Sequence, residues 1–274
     1  MKKILLLIAL LLSSLSLLSK AEDGTSLIPA FQNEVDRRLD PPPQAQALYA
    51  QLLDTALKNT ETSITTSQYV LMVDRNPYVQ AIFLYWLDAQ TTSDRWRFIG
   101  ATSVSTGKPG KFEYFITPIG VFTHSLGNLD FRAQGTRNDF GIRGFGRKGM
   151  RVYDFGWILA ERGWGKGGFS LMRLMLHATD PDFLEPRLGE VKSKGCIRIP
   201  TTLNLFIDRY GLLDAEYEPL LEEGEKLWVM RPDRVPTPWA GRYLVIIDSG
   251  HTERPAWSHD PSAIELPSYI TPDP

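Results

Sequence analysis

Cysteine is almost missing from this chain: 274 residues contain one, Cys196, so no intramolecular disulfide framework can exist. A long apolar run is missing too. The stretch Ile4–Leu18 is 15 residues with three serines inside it, short of the roughly 20 that a bilayer requires. A lipoprotein anchor would need a cysteine at its cleavage site, and the cysteine lies far away, so no stable membrane anchor is expected. Positive charge shows no excess: 30 Lys and Arg face 32 Asp and Glu, a net charge of −2, which leaves no basic surplus to hold nucleic acid. There is no H-E-x-x-H, no H-x-H and no second cysteine, so a zinc peptidase site is not expected. What remains, 43% hydrophobic and 23% charged residues, suits a globular domain with extensions and excludes fibrous and wholly disordered classes.

Met1-Lys2-Lys3, the apolar run and then Ser19-Lys20-Ala21 have the form of a secretory signal peptide cleaved before Glu22. Removing residues 1–21 leaves 27 basic against 32 acidic residues, a mature net charge near −5. The expectation is an exported protein, with a periplasm as its best-fitting compartment.

Residues 22–42 are polar, run into Pro41-Pro42-Pro43 and read as an extended lead-in. Ala45, Leu48, Tyr49, Leu52, Leu53, Ala56 and Leu57 then fall on one face of an amphipathic helix. Residues 22–66 thus form a helical extension. Aromatic and β-branched runs at Tyr69–Val73, Tyr78–Trp86 and Trp96–Val104 predict antiparallel strands, with Asn76-Pro77 turning between the first two. Thr117–Phe122 starts another extended piece, residues 128–151 read as a long basic loop, and Phe169–Leu176 predicts a strand that runs into His177. A short helix with Leu203, Phe206, Ile207 and Tyr210 as its buried stripe should stop at Gly211. Leu227–Met230 and Tyr243–Ile247 predict late strands, and the proline-rich segment from Ser249 onward a loosely held tail.

An unpaired thiol in an oxidising compartment is a liability unless it is used. The setting Ser193-Lys194-Gly195-Cys196-Ile197-Arg198 places a small residue before the sulfur and two cations within two positions of it. A thiol with a pKa of about 8.5 is only about 3% thiolate at neutral pH, and Lys194, Arg198 and a histidine are groups that can lower it. Among four histidines, His251 and His259 fall in the tail and His124 follows the strand after Gly120, which leaves His177, at a strand end, as the candidate base. Other motifs fail on context. Gly144–Gly149 fits G-x-G-x-x-G but leads into an extended segment, where dinucleotide binding needs a helix. Ser105–Lys108 fits S-x-x-K but Pro109-Gly110 follows at once. No cofactor is expected.

A strand ending in His, a loop, and then Ser-x-Gly-Cys-Ile-Arg resembles the catalytic signature of the L,D-transpeptidases, which act on bacterial peptidoglycan. The likeness extends upstream to Ser105-Thr106-Gly107 and Thr117–Phe122, similar to that family's "STG … TPxGxF" segment, and downstream to Gly224–Met230, similar to its closing strand. The resemblance covers residues 67–232, with residues 233–274 as a further strand and tail. It implies a mainly β, sandwich-like catalytic domain with short helices. It also implies Cys196 as nucleophile, His177 as general base, the Ala178 carbonyl as orienting group and Arg198 as a contact to the stem-peptide donor. Ser193 and Lys194 would flank the substrate, and the backbone N–H of Cys196 with that of Gly195 would form an oxyanion hole. Two positions depart from the family pattern: Lys194 stands where the family has His, and Ala178 where it often has Gly. The implied partner is a peptidoglycan stem peptide. The alternatives are an L,D-carboxypeptidase or other cell-wall amide hydrolase using the same pair, and a non-catalytic peptidoglycan-binding protein.

Overall fold

The computed structural model describes residues 23–261. The proposed signal peptide, and the tail beyond residue 261, lie outside the described residues.

The chain is mainly β, two packed sheets with a few short helices. Its elements are α1 (Leu27–Glu34), β1 (Arg38–Leu39), α2 (Pro43–Asn59), β2 (Gln68–Asp74), β3 (Ala81–Leu87), β4 (Trp96–Ser103), β5 (Gly120–Thr123), β6 (Phe131–Arg132), β7 (Arg151–Glu161), β8 (Phe169–Ala178), β9 (Ile197–Ile199), α3 (Thr201–Tyr210), α4 (Tyr217–Glu222) and β10 (Tyr243–Ile247). Six strands form one sheet in the order β1-β4-β3-β2-β10-β5, and four form the other in the order β6-β7-β8-β9. Most neighbours are antiparallel; β10 runs parallel to β2, and β9 parallel to β8.

β2 and β3 read as unbroken apolar runs because both of their faces are covered, and every residue in them is buried. One face packs under α2, whose Tyr49, Leu53 and Leu57 at four-residue spacing meet Met72, Phe83 and Val245. Tyr49 stacks on Phe83 at 4.1 Å and its hydroxyl donates to Asp74 Oδ2 at 2.7 Å. The other face, with Leu71, Leu84 and Leu244, meets Leu174, Leu176, Ile197 and Ile199 of the smaller sheet, and α1 and α3 add Phe31 and Phe206 to this inter-sheet core. α3 ends where Gly211 turns left-handed at φ +64°.

Four expectations need correction. Residues 22–42 are not an extended lead-in, since Leu27 and Phe31 lie buried on helix α1, Val35 follows buried at the same four-residue interval, and β1 pairs with β4. The strand expected from Tyr78 begins at Ala81, because Asn76–Gln80 is a turn held by Asp74 Oδ1 on the Asn76 N–H and Asn76 Oδ1 on the Tyr78 N–H. Leu227–Met230 is a turn rather than a strand, closed by the Met230 N–H on the Leu227 carbonyl and pinned where Arg132 donates to the Val229 carbonyl. The described part of the tail is packed: Trp257 lies edge-on to Tyr49 and Phe83, and the Ser258 hydroxyl donates to the Val79 carbonyl at 2.8 Å.

Candidate functional site

Alternation along β8 sends Met172, Leu174 and Leu176 into the inter-sheet core and leaves Arg173, Met175 and His177 on the outer face. The parallel register pairs His177 with Arg198, and continuing it puts Cys196, just before β9, beside Met175. Cys196, His177 and Arg198 therefore share one cleft of about 620 Å³, together with Arg173, Trp157 and Lys194.

The Cys196 loop is held by its neighbours' backbone. Gly195 has φ +127°, and a Cβ there would come within 2.8 Å of Met172 Sδ and 3.0 Å of Phe115 Cβ, so only glycine fits before the sulfur. Thr117 Oγ1 accepts from the Gly107 N–H at 2.8 Å and donates to the Gly195 carbonyl at 2.7 Å. Ser105 and Arg198 exchange backbone hydrogen bonds of 3.0 and 2.9 Å, and Thr106 O accepts the Ser193 N–H at 2.9 Å. The segment Ser105–Gly107 and Thr117 thus form the frame on which the cysteine loop lies. Ser193 is buried, and its hydroxyl accepts the Gly195 N–H at 3.0 Å and donates to the Cys196 carbonyl at 2.5 Å. Both Ser193 Oγ and the Gly195 N–H are therefore committed inside the loop. Lys194 is exposed, with its ammonium 5.5 Å from the centre of the Tyr114 ring.

His177 is buried, and its Nδ1 donates to the Ala178 carbonyl at 2.7 Å, which fixes the tautomer with Nε2 as acceptor. Phe145 meets the ring edge-on at 4.8 Å. This places the glycine-rich loop of residues 144–149 over the histidine, and Gly144 and Phe145 line the cleft. Burial drives the imidazole pKa down to about 4, with Arg198 pushing the same way and the Ala178 hydrogen bond opposing. At neutral pH the ring is uncharged.

The thiol departs from its sequence expectation. Burial pushes Cys196 up; the Met175 backbone and Arg198 act to lower it and Asp154 raises it further, and the balance lies above the ordinary thiol value. The S–H donates to the Arg173 carbonyl at 3.6 Å. The resting site thus holds a neutral thiol and a neutral imidazole in one cleft, not a thiolate stabilised by Lys194 and Arg198. Such a pair is suited to attack in which the proton leaves sulfur as the new bond forms.

Sequence reasoning missed two contributors. Gly156, at φ +85°, sits in a β-bulge between Asp154 and Trp157, and this extra residue turns Trp157 as well as Asp154 to the outer face. Arg173, four residues before His177, reaches the cleft from the same strand face. The two-residue alternation back from His177 was the available signal for Arg173. Among the described residues no group of His, Cys, Asp and Glu is arranged to hold a metal, and no helix is long and apolar enough to cross a membrane.

No family model matches the chain, and no curated protein matches it. Among solved structures, it is similar to a fused Zn-dependent amidase/peptidase/peptidoglycan-binding domain-containing protein from Clostridium acetobutylicum, with 14% identity and a TM-score of 0.31 over 77% of this chain. The chain spans 64% of the length of that structure.

Proposed function

We propose that this protein is an exported, cysteine-dependent peptidoglycan L,D-transpeptidase. The observation that supports the reading best is the shared cleft of Cys196 and His177, in which Nδ1 is tied to a backbone carbonyl and Nε2 is left as a proton acceptor. Together with the resemblance of the loop Ser193–Arg198 to the family signature, this supports acyl transfer through a thioester.

In this mechanism Cys196 Sγ attacks the carbonyl of the third residue of a tetrapeptide stem while the thiol proton passes to His177 Nε2. Collapse of the tetrahedral intermediate breaks the C–N bond to the terminal D-alanine, and the imidazolium returns the proton to the leaving amine. The Cys196 N–H is the oxyanion donor, because the Gly195 N–H is held by Ser193 Oγ. One such donor is worth about 3 kcal/mol in the transition state. An acceptor amine then resolves the thioester, and Arg198 contacts the donor stem.

The test is incubation of the mature protein with disaccharide-tetrapeptide and mass analysis of the products. Cross-linked dimers with release of D-alanine are the expected outcome. Tripeptide alone would replace the transferase by a hydrolase using the same pair, and unchanged substrate would reduce the site to binding.

A further inference from the structure

The mechanism above leaves one charged pair beside the sulfur without a task. Asp154 lies on β7 directly opposite Met175, the residue that sits beside Cys196 on the outer face of the sheet. Its side chain is fully buried and forms an ion pair with the Arg173 guanidinium, while its Oδ1 accepts the Gly156 N–H at 2.8 Å and so also fastens the bulge. Arg173 connects this carboxylate to the thiol: its side chain is 44% exposed at the cleft, and its backbone carbonyl receives the Cys196 S–H.

A buried carboxylate close to a thiol opposes formation of a second negative charge, and a guanidinium on that carboxylate cancels much of the field. We propose that Arg173 is a positioning residue that screens Cys196 from Asp154, so that the Asp154–Arg173 pair sets the reactivity of the thiol. Asp154 holds the guanidinium against the sheet, and the guanidinium neutralises Asp154. The other charged or titratable groups lining this cleft, among the described residues, are Arg198 on β9, His177 on β8, and Glu113 and Lys194 on loops, with Lys194 drawn toward Tyr114. All of these stay in place in the variants below. The biological use of this tuning rests on the transferase reading, but titration of the thiol is a property of the folded chain whatever its substrate.

The experiment is the rate of iodoacetamide alkylation of the full chain from about pH 5 to about pH 10, which reports Cys196 alone because it is the chain's single cysteine. Arg173→Gln is expected to raise the midpoint by about one pH unit, which makes alkylation near neutrality roughly tenfold slower. Asp154→Asn keeps the Oδ1 acceptor for Gly156 and removes the charge, and is expected to lower the midpoint. The double variant should return close to the wild-type profile, and Arg173→Lys should stay near it. An unchanged midpoint in Arg173→Gln, or a double variant as slow as that single one, would overturn the proposal. Should Arg173→Gln fail to fold, Asp154→Asn decides alone: a midpoint unmoved or raised refutes screening. None of these readings depends on stem-peptide turnover, so loss of the transferase assignment and loss of this proposal are separately visible.

Discussion

His124 and His177 make an instructive pair. Both are buried, both donate Nδ1–H to a backbone carbonyl at 2.7 Å, from Leu213 and Ala178 respectively, and both touch an aromatic ring. They differ at the second nitrogen. Nε2 of His124 ends on the Asp130 carboxylate at 2.8 Å, within a closed ionic cluster in which buried Arg151 pairs with Asp130 at 2.7 Å and with Asp214 at 2.6 Å. His177 faces the cleft that holds Cys196, with Nε2 uncommitted by the Nδ1 bond. The same side chain with the same backbone clamp is a cross-link in one place and a candidate base in the other, and the partner of Nε2 makes the difference.

The strongest way to break this contrast is to remove the reacting atoms. Cys196→Ala is expected to lower turnover of the tetrapeptide by about a thousandfold or more, as loss of a nucleophile does, while thermal unfolding stays within a few degrees of wild type. His177→Ala should approach the same loss. Turnover retained in Cys196→Ala would take the sulfur out of the mechanism.

On the other side of the comparison the effect should fall on stability. Burial opposes ionisation of Asp130, but the hydrogen bond and charge of His124, with Arg151, outweigh it and hold the carboxyl below the usual range. Asp130→Ala leaves Arg151 and His124 short of a buried partner and is expected to cost about 3–5 kcal/mol in urea unfolding. The alkylation profile of Cys196 should not move. A large loss of thiol reactivity in a still-folded Asp130 variant would erase the division between the two regions.

pH tests the division in a third way. His177 titrates near its ordinary 6.5 in the unfolded chain and at about 4 in the fold, so the unfolded state binds the proton first as pH falls. Stability is therefore lost between about pH 6.5 and pH 4, by about 3 kcal/mol at the lower end. His177→Gln should flatten that part of the stability curve, measured by chemical denaturation at successive pH values. The Asp130 contribution has the opposite kind of origin. Its depressed pKa gives stability that is whole above the unfolded carboxylate value near 3.8 and disappears only as pH falls through the lower folded value.

How much of this could be read beforehand depends on what the residues had to signal. α2 and α3 announce themselves through apolar spacing, and β2 and β3 through β-branched and aromatic runs, because burial on one or both faces leaves a period or an unbroken stretch. α1 carries a stripe too, but Leu27, Phe31 and Val35 span only about two helical turns and do not stand out before the six-stranded sheet supplies the surface they cover. Cys196 and His177 could be named because cysteine and histidine are scarce here. The bulge at Gly156 and the buried pairing of Asp154 with Arg173 could not, since bulges and cross-strand ion pairs are consequences of register, which no local pattern states. The thiol's environment differs from its sequence expectation for a related reason: adjacent cations are visible in a sequence, whereas the desolvation that opposes them arises only from packing.

The finest of these effects concerns Phe145, which packs edge-on against the His177 ring from the loop above it. An aromatic contact of this kind is worth about 0.5–1.5 kcal/mol beyond its buried area. Nδ1 stays bound to the Ala178 carbonyl without it, so the tautomer should survive in Phe145→Ala while the ring gains freedom to rotate about that bond. The expected result is a fall of about threefold to tenfold in turnover with the alkylation midpoint of Cys196 nearly unchanged, because the charges around sulfur are the same. Loss of the edge also admits water to the ring, which should let its pKa rise from about 4 toward the ordinary value and reduce the stability lost on acidification. A Phe145→Ala protein that keeps both full turnover and the wild-type acid profile would show that the Ala178 carbonyl positions His177 unaided. The difference between the two histidines would then rest wholly on the partner of Nε2.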